Sequence, residues 1–239
     1  MAKKGNTAEQ VKPPKKTGGD FAHGSAKAGL SLIPLVGGSA AELFNLVLAP
    51  PLERRRNEWM NSVAERLNDL EAKLDVFDPA DLGNNESFVT ATLHATRIAL
   101  QTHHEEKLEA LRNAVLNAAL PNAPDDELQA VFLSHVEAFT PWHLRILAWI
   151  DDPGRWGELH GVKYPGLMAG GISTLLEAAF PDLKNNREFY DQIGKDLHNR
   201  GLISTDHFHS TMSESGLYQS RTTPMGKVFL SYVSAPSVE

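Results

Sequence analysis

Along the middle of the chain, apolar residues return at steps of three and four. Met60, Val63, Leu67, Leu70, Leu74 and Phe77 form one such row, the seam of a helix that packs lengthwise on another helix. Leu52 and Trp59 lead into it, while Glu53, Arg54, Arg55, Arg56, Glu65, Arg66 and Lys73 take the other faces. Asp78-Pro79 and Gly83-Asn84-Asn85 then make a turn. Beyond it, 86–120 reads as one long helix or as two joined near Thr102, with Phe88, Val89, Leu93, Leu100, Leu108, Leu111 and Val115 as its apolar positions. Pro121 ends it. These antiparallel pieces would bury one another's stripes as a small bundle. A further helix over 127–139 points Leu128, Val131, Phe132, Val136 and Phe139 inward.

The pattern after Phe139 breaks into shorter units. Thr140-Pro141 is a helix cap followed by proline at the first helical position, opening 142–150. Thr174 and Glu177 have capping-box spacing and open a helix closed by Pro181. Asn186 caps a third helix, 189–200, ended by Gly201. Leu202-Ile203 and 217–220 read as two short strands around a polar loop, 204–216, and Thr223-Pro224 opens a last helix over 225–233. The expected fold is therefore mainly α: an N-terminal helical bundle with a hairpin, then a C-terminal winged-helix-like domain with a small two-stranded wing. The expected division is a basic arm over 1–27, a helical domain over 28–120 and the winged-helix-like domain over 121–239.

The stretch 28–48, AGLSLIPLVGGSAAELFNLVL, is long enough to span a membrane but carries Glu42, Asn45 and a Pro-Leu-Val-Gly-Gly interruption. A central carboxylate and a broken backbone both oppose a span. It reads as a helix, a bend at 34–38 and a second short helix, stopped by Pro50 and Pro51. Leu30, Leu32, Ile33, Leu35, Val36, Leu43, Phe44, Leu46 and Val47 form its apolar surface. That surface is either buried in the core or offered to a membrane or a partner. Arg54, Arg55 and Arg56 lie beside it and could meet an anionic surface.

Charge narrows the choices. The chain carries a formal net charge of −7, yet its first 27 residues hold Lys3, Lys4, Lys12, Lys15, Lys16 and Lys27 against Glu9 and Asp20. Such a basic stretch, rich in small polar residues, glycine and proline, has the composition of a disordered arm, and it does not read as a signal peptide. There is no cysteine, so disulfides and thiolate chemistry are absent, in keeping with a cytoplasmic protein that is at most peripheral at the inner membrane. From Asp125 onward, 15 acidic residues face 9 basic ones, the reverse of a phosphate-binding balance. Lys184, Arg187, Lys195 and Arg200 are the candidate nucleic-acid contacts on the recognition helix and its approach, but Asp182, Glu188, Asp191 and Asp196 are interspersed among them.

No motif specifies a reaction. In a helix, His103 and His104 would point about 100° apart and could not share one ion. His207 and His209 would share one face of a strand, with Asp206 nearby, which allows a weak metal site. His160 lies near Trp156 and Tyr164 in a loop with Asp151, Asp152 and Glu158. Neither Gly37-Gly38 nor Gly170-Gly171 matches a phosphate-binding pattern. The expected protein is non-enzymatic, with no cofactor, no metal and no identified small-molecule substrate.

Three segments carry a resemblance: FTPWHLRILAWI (139–150), DLHNRGLI (196–203) and YQSRTTPMGKVFLSYV (218–233). In order and spacing they are similar to the bacterial abortive-infection alpha family of phage-defence-associated proteins, over about the last half of the chain. The resemblance implies a helical region followed by a winged-helix-like end, and a role in halting infection without defined catalytic residues. The function expected on these grounds is a defence effector or adaptor. Its helical half would dock on a membrane or partner, and its winged helix would contact a protein partner; self-association would run through the seam of Met60 to Phe77. The alternatives are a winged-helix DNA-binding regulator and an oligomeric helical scaffold.

Overall fold

The computed structural model describes residues 38–73, 79–166 and 168–237. The protein is mainly helical among these residues, with one small antiparallel sheet. Leu30, Leu32, Ile33, Leu35 and Val36 of the apolar stretch, and Leu74 and Phe77 of the seam, lie outside the described residues.

The first helix, α1 (Gly38–Glu71), corrects the expected stop at Pro50 and Pro51, for it runs through both. Two prolines in succession remove two N–H donors, so the carbonyls of Leu46 and Val47 lose their helical partners, while the rest of the hydrogen-bond ladder continues. The second correction concerns the seam. Its buried members are Trp59, Val63, Leu67 and Leu70, whereas Met60 faces outward. Trp59 lies four residues before Val63 and so carries the stripe back along the face that Met60 misses. Its indole N–H donates to Thr96 Oγ1 at 2.9 Å.

Asn85 closes a short 3-10 turn and caps α2 (Glu86–Gln101), accepting from the Phe88 N–H at 3.1 Å. The expected joint near Thr102 is there, separating α2 from α3 (Glu105–Ala118). The buried stripe of α2 is Phe88, Ala91, Ala95, Ile98 and Ala99; Leu93, expected inside, is 67% exposed. Small alanines let α2 approach its neighbours closely, and a leucine one face away stays in water. Helix α4 (Asp126–Ala138) is capped by Asp125 and buries Phe132, Leu133 and Val136, while Val131 points out. Bidentate pairs clasp the bundle, Arg66 to Glu109 at 2.8 Å and Arg97 to Glu137 at 2.7–2.8 Å.

Helices α5 (Pro141–Asp151) and α6 (Pro153–His160) follow. The second was expected to be loop; Asp152 caps it through the Arg155 N–H at 2.9 Å and Gly161 ends it at φ 65°. Strand β1 (Ala169–Gly170) leads into α7 (Ile172–Ala179), whose cap is Gly171 rather than the expected Thr174. Helix α8 (Arg187–Asn199) begins at Asn186 as expected, although the Asn186 side chain makes no capping bond. The expected strand over 217–220 is corrected. Strand β2 (Met212–Ser213) pairs with β1, and Glu214–Leu217 forms a short helix, α9. Leu202–Ser204 instead meets Arg221–Thr223, through an Ile203–Thr222 bridge and through Ser204 N to Arg221 O at 2.7 Å.

The last helix, α10 (Pro224–Val233), is capped by Thr223 as the sequence indicates. It returns to the first helices, where Asn113 and Asn117 of α3 donate to the carbonyls of Val233 and Tyr232. Two glycines make these joints possible. A Cβ on Gly226 would sit 2.1 Å from the Leu202 carbonyl oxygen, and one on Gly194 would sit 2.8 Å from the Phe208 ring. Phe208, alone in a polar loop, is fully buried on α8. The core runs without a break from Trp59 through Phe132 and Trp149 to Phe229.

Candidate functional site

The expected contact residues do not come together. Leu43, Phe44, Leu46 and Val47 lie on the first turns of α1, and Val47, Leu48 and Leu52 are 56%, 42% and 43% exposed. Leu48 and Leu52 continue the stripe of Trp59, Val63, Leu67 and Leu70 at helical spacing, so α1 carries its apolar face beyond α2 and α3. Arg54 and Arg56 stand in solvent just after it, with Arg54 loosely paired to Glu58 at 3.8 Å. Arg55 turns inward and donates to the Leu100 carbonyl at 3.4 Å. Among the described residues, no helix is long and apolar enough to cross a membrane.

On and beside α8 the four candidate phosphate contacts separate into two kinds. Arg187 donates to Asp191, which also meets His209 Nε2 at 2.7 Å. Arg200 lies over the Phe139 ring at 5.3 Å and reaches His135 Nδ1 at 2.9 Å. Lys184, just before α8, and Lys195, on it, are exposed and make no side-chain hydrogen bond or ion pair among the described residues.

Two groups look like catalytic strings. In the first, Thr140, His143 and Asp196 stand in line, with His143 Nδ1 2.9 Å from Thr140 Oγ1 and Nε2 3.5 Å from Asp196. Here Nδ1 accepts the Thr140 backbone N–H at 3.1 Å, so the ring serves as part of the α5 cap. Burial lowers the pKa of His143 against the pull of Asp196, and the ring stacks parallel on Phe139 at 4.7 Å. In the second, Asp206 Oδ1 lies 2.6 Å from His207 Nδ1, and His207 Nε2 lies 2.7 Å from Ser210 Oγ. All three side chains are exposed, and water at such a string removes the low-dielectric setting in which a serine is activated. His207 and His209 therefore have different partners. His103 and His104 lie in the joint between α2 and α3 rather than within a helix, both exposed. No group of three metal-ligating side chains occurs among the described residues.

The concave feature that sequence reasoning missed is a cleft of about 920 Å³ between α3, α5, α6, α10 and the end of α7. Phe180 is its centre, with Trp142 edge-on at 5.6 Å and Trp156 at 4.9 Å. Trp156 stacks on His160 at 3.8 Å, and His160 Nδ1 lies 2.8 Å from the Trp156 carbonyl. Carboxylates stand around this aromatic floor. Glu105 and Glu109 are held by Arg112, at 2.5 and 2.6 Å. Glu106 pairs with Arg145, whose guanidinium lies 4.9 Å from the Trp142 ring centre. Asp182 is exposed at the rim. The spacing of Trp156 and His160 by four residues would have put them on one face, had 153–160 been read as a helix. The acids of the supposed loop do other work, Asp152 as a cap and Asp151 as acceptor for Ser220 at 3.3 Å.

No protein-family model, no curated protein and no solved structure matches the chain.

Proposed function

We propose that the protein is a non-enzymatic adaptor that docks through the outer end of α1 on an anionic membrane surface and offers a winged-helix-like C-terminal unit to a protein partner. The observation that carries the reading is the exposed apolar run Val47, Leu48 and Leu52 followed at once by exposed Arg54 and Arg56. Exposed aliphatic side chains on one face of a helix gain by entering the acyl boundary. Each nearby arginine adds about 1 kcal/mol of attraction to an anionic leaflet, so the contact is reversible rather than permanent.

The winged-helix part of the reading is supported by the order α5, α7, α8, the extended pairing of Leu202–Ser204 with Arg221–Thr223, and the closing helix α10. A protein partner is favoured over DNA because two of the four cations on and beside α8, Arg187 and Arg200, already have partners within the protein. A role in phage defence rests on the similarity of 139–150, 196–203 and 218–233 to the abortive-infection alpha family.

Flotation of the full chain with phosphatidylserine-containing vesicles tests the membrane contact. The expected result is flotation that falls with added salt, weakens in Arg54→Glu/Arg56→Glu and is lost in Leu48→Ser/Leu52→Ser. No flotation, or equal flotation on uncharged vesicles, would sink it. A salt-sensitive gel shift lost in Lys184→Ala/Lys195→Ala would replace the protein partner with DNA.

A further inference from the structure

The cleft around Phe180 makes no use of α1 and bears on a different kind of ligand. Its floor is three aromatic rings; Trp142 and Trp156 are only half-buried, Trp156 with His160 stacked on one face and Trp142 with the Arg145 guanidinium over its ring. An aromatic face attracts a cation through its quadrupole, most strongly where water is scarce. The chain itself already places one there, for the Arg145 guanidinium lies over Trp142 while pairing with Glu106. Both members of that pair are about 41% exposed. Such a pair contributes little by itself and exchanges readily for another cation. Behind it, Arg112 fixes Glu105 and Glu109, which leaves Glu106 and Asp182 as the carboxylates that an entering group can reach.

We infer that this cleft is a recognition site for an arginine-bearing peptide segment of a partner, its guanidinium taking the place that Arg145 now fills and a neighbouring aromatic side chain packing on Trp156 and Phe180. The cleft volume, about 920 Å³, accommodates a few residues of such a segment. Guanidinium fits better than ammonium because it is planar and weakly hydrated, so it stacks on indole and forks onto a carboxylate together. The net balance of the reachable groups, two carboxylates against one displaceable arginine, supplies the charge complementarity.

The test uses the full-length protein and two capped dipeptide amides, acetyl-Phe-Arg-amide and its uncharged isostere acetyl-Phe-citrulline-amide. The readout is the four tryptophan indole N–H resonances, each assigned by a Trp→Phe variant. The arginine peptide is expected to shift Trp142 and Trp156 and to leave Trp59 and Trp149 in place, binding at least about fivefold tighter than the citrulline peptide. Asp182→Asn and Glu106→Gln should each weaken it. Arg145→Ala should tighten it, because the resident cation no longer competes, an effect that general damage to the cleft would not give. Equal binding of the two peptides, a shift spread over all four indoles, or weaker binding by the Arg145→Ala protein would overturn the inference, as would no shift at millimolar peptide.

Discussion

The outer end of α1 and the start of α10 are both helix ends with apolar side chains, and their surroundings differ completely. At α10, Phe229 is fully buried, edge-on to Phe132 at 5.4 Å and to Phe139 at 6.0 Å. Gly226 brings its first turn hard against the Leu202 carbonyl. At α1, Leu48 and Leu52 share a stripe with buried Trp59 but stand more than two-fifths exposed. The difference teaches that an apolar stripe is only an offer of contact. α10 meets a partner on each side, whereas among the described residues the first turns of α1 extend past α2 and α3 with Leu48 and Leu52 exposed.

The comparison can be broken in three ways. Phe229→Ala should cost the most, about 3–5 kcal/mol of unfolding free energy in a urea melt, because the aromatic cluster around it cannot collapse into the space. A loss under 1 kcal/mol would mean that the α10 joint is looser than its packing indicates.

Acid comes next, and it acts near the same joint. His135 stacks on Phe139, and burial, helped by the charge of Arg200, pushes its pKa from 6.5 down to about 4. His143 is lowered by burial as well. A proton then binds the unfolded chain more readily than the folded one. Stability is complete above pH 6.5 and is lost progressively as pH falls toward about 4. Melting temperatures measured across that window should fall with pH, and His135→Gln should flatten the fall. A slope identical in the two proteins would remove His135 as its source.

The smallest effect should come from α1. Leu48→Ser/Leu52→Ser should change stability by no more than about 0.5 kcal/mol, as at other exposed positions, while abolishing flotation. A cost of about 2 kcal/mol or more would show those leucines to be packed in the folded chain, and the difference between the two helix ends would vanish.

Much of this fold was legible beforehand because helix ends are written locally. Thr140 and Thr223 are caps in the sequence and in the structure, since a short polar side chain before a helix satisfies its free N–H groups with no help from elsewhere; Asn85 and Asp125, read as turn and linker, prove to be caps by the same local rule. The readings that failed concern choices between equivalent local patterns. Met60 and Trp59 are both apolar and adjacent, and only the position of α2 selects Trp59. Pro50 and Pro51 signal a stop, and α1 nevertheless continues through them. Thr174 carries capping-box spacing, but its helix had begun at Ile172.

The cleft was the least legible feature. Trp142, Trp156, Phe180 and Glu106 lie on α5, on α6, beyond α7 and on α3, so no window of sequence contains their geometry. The sequence alone determined the mainly helical class, most helix starts, the absence of thiol chemistry and the acidic balance of the C-terminal half. Those are matters of backbone capping, periodicity and charge, all set by near neighbours along the chain. Tertiary structure alone decided which apolar residues found partners, which arginines found partners within the chain and where an aromatic floor was assembled. These depend on contacts between residues as distant as Asn113 and Val233, whose meeting no local rule encodes.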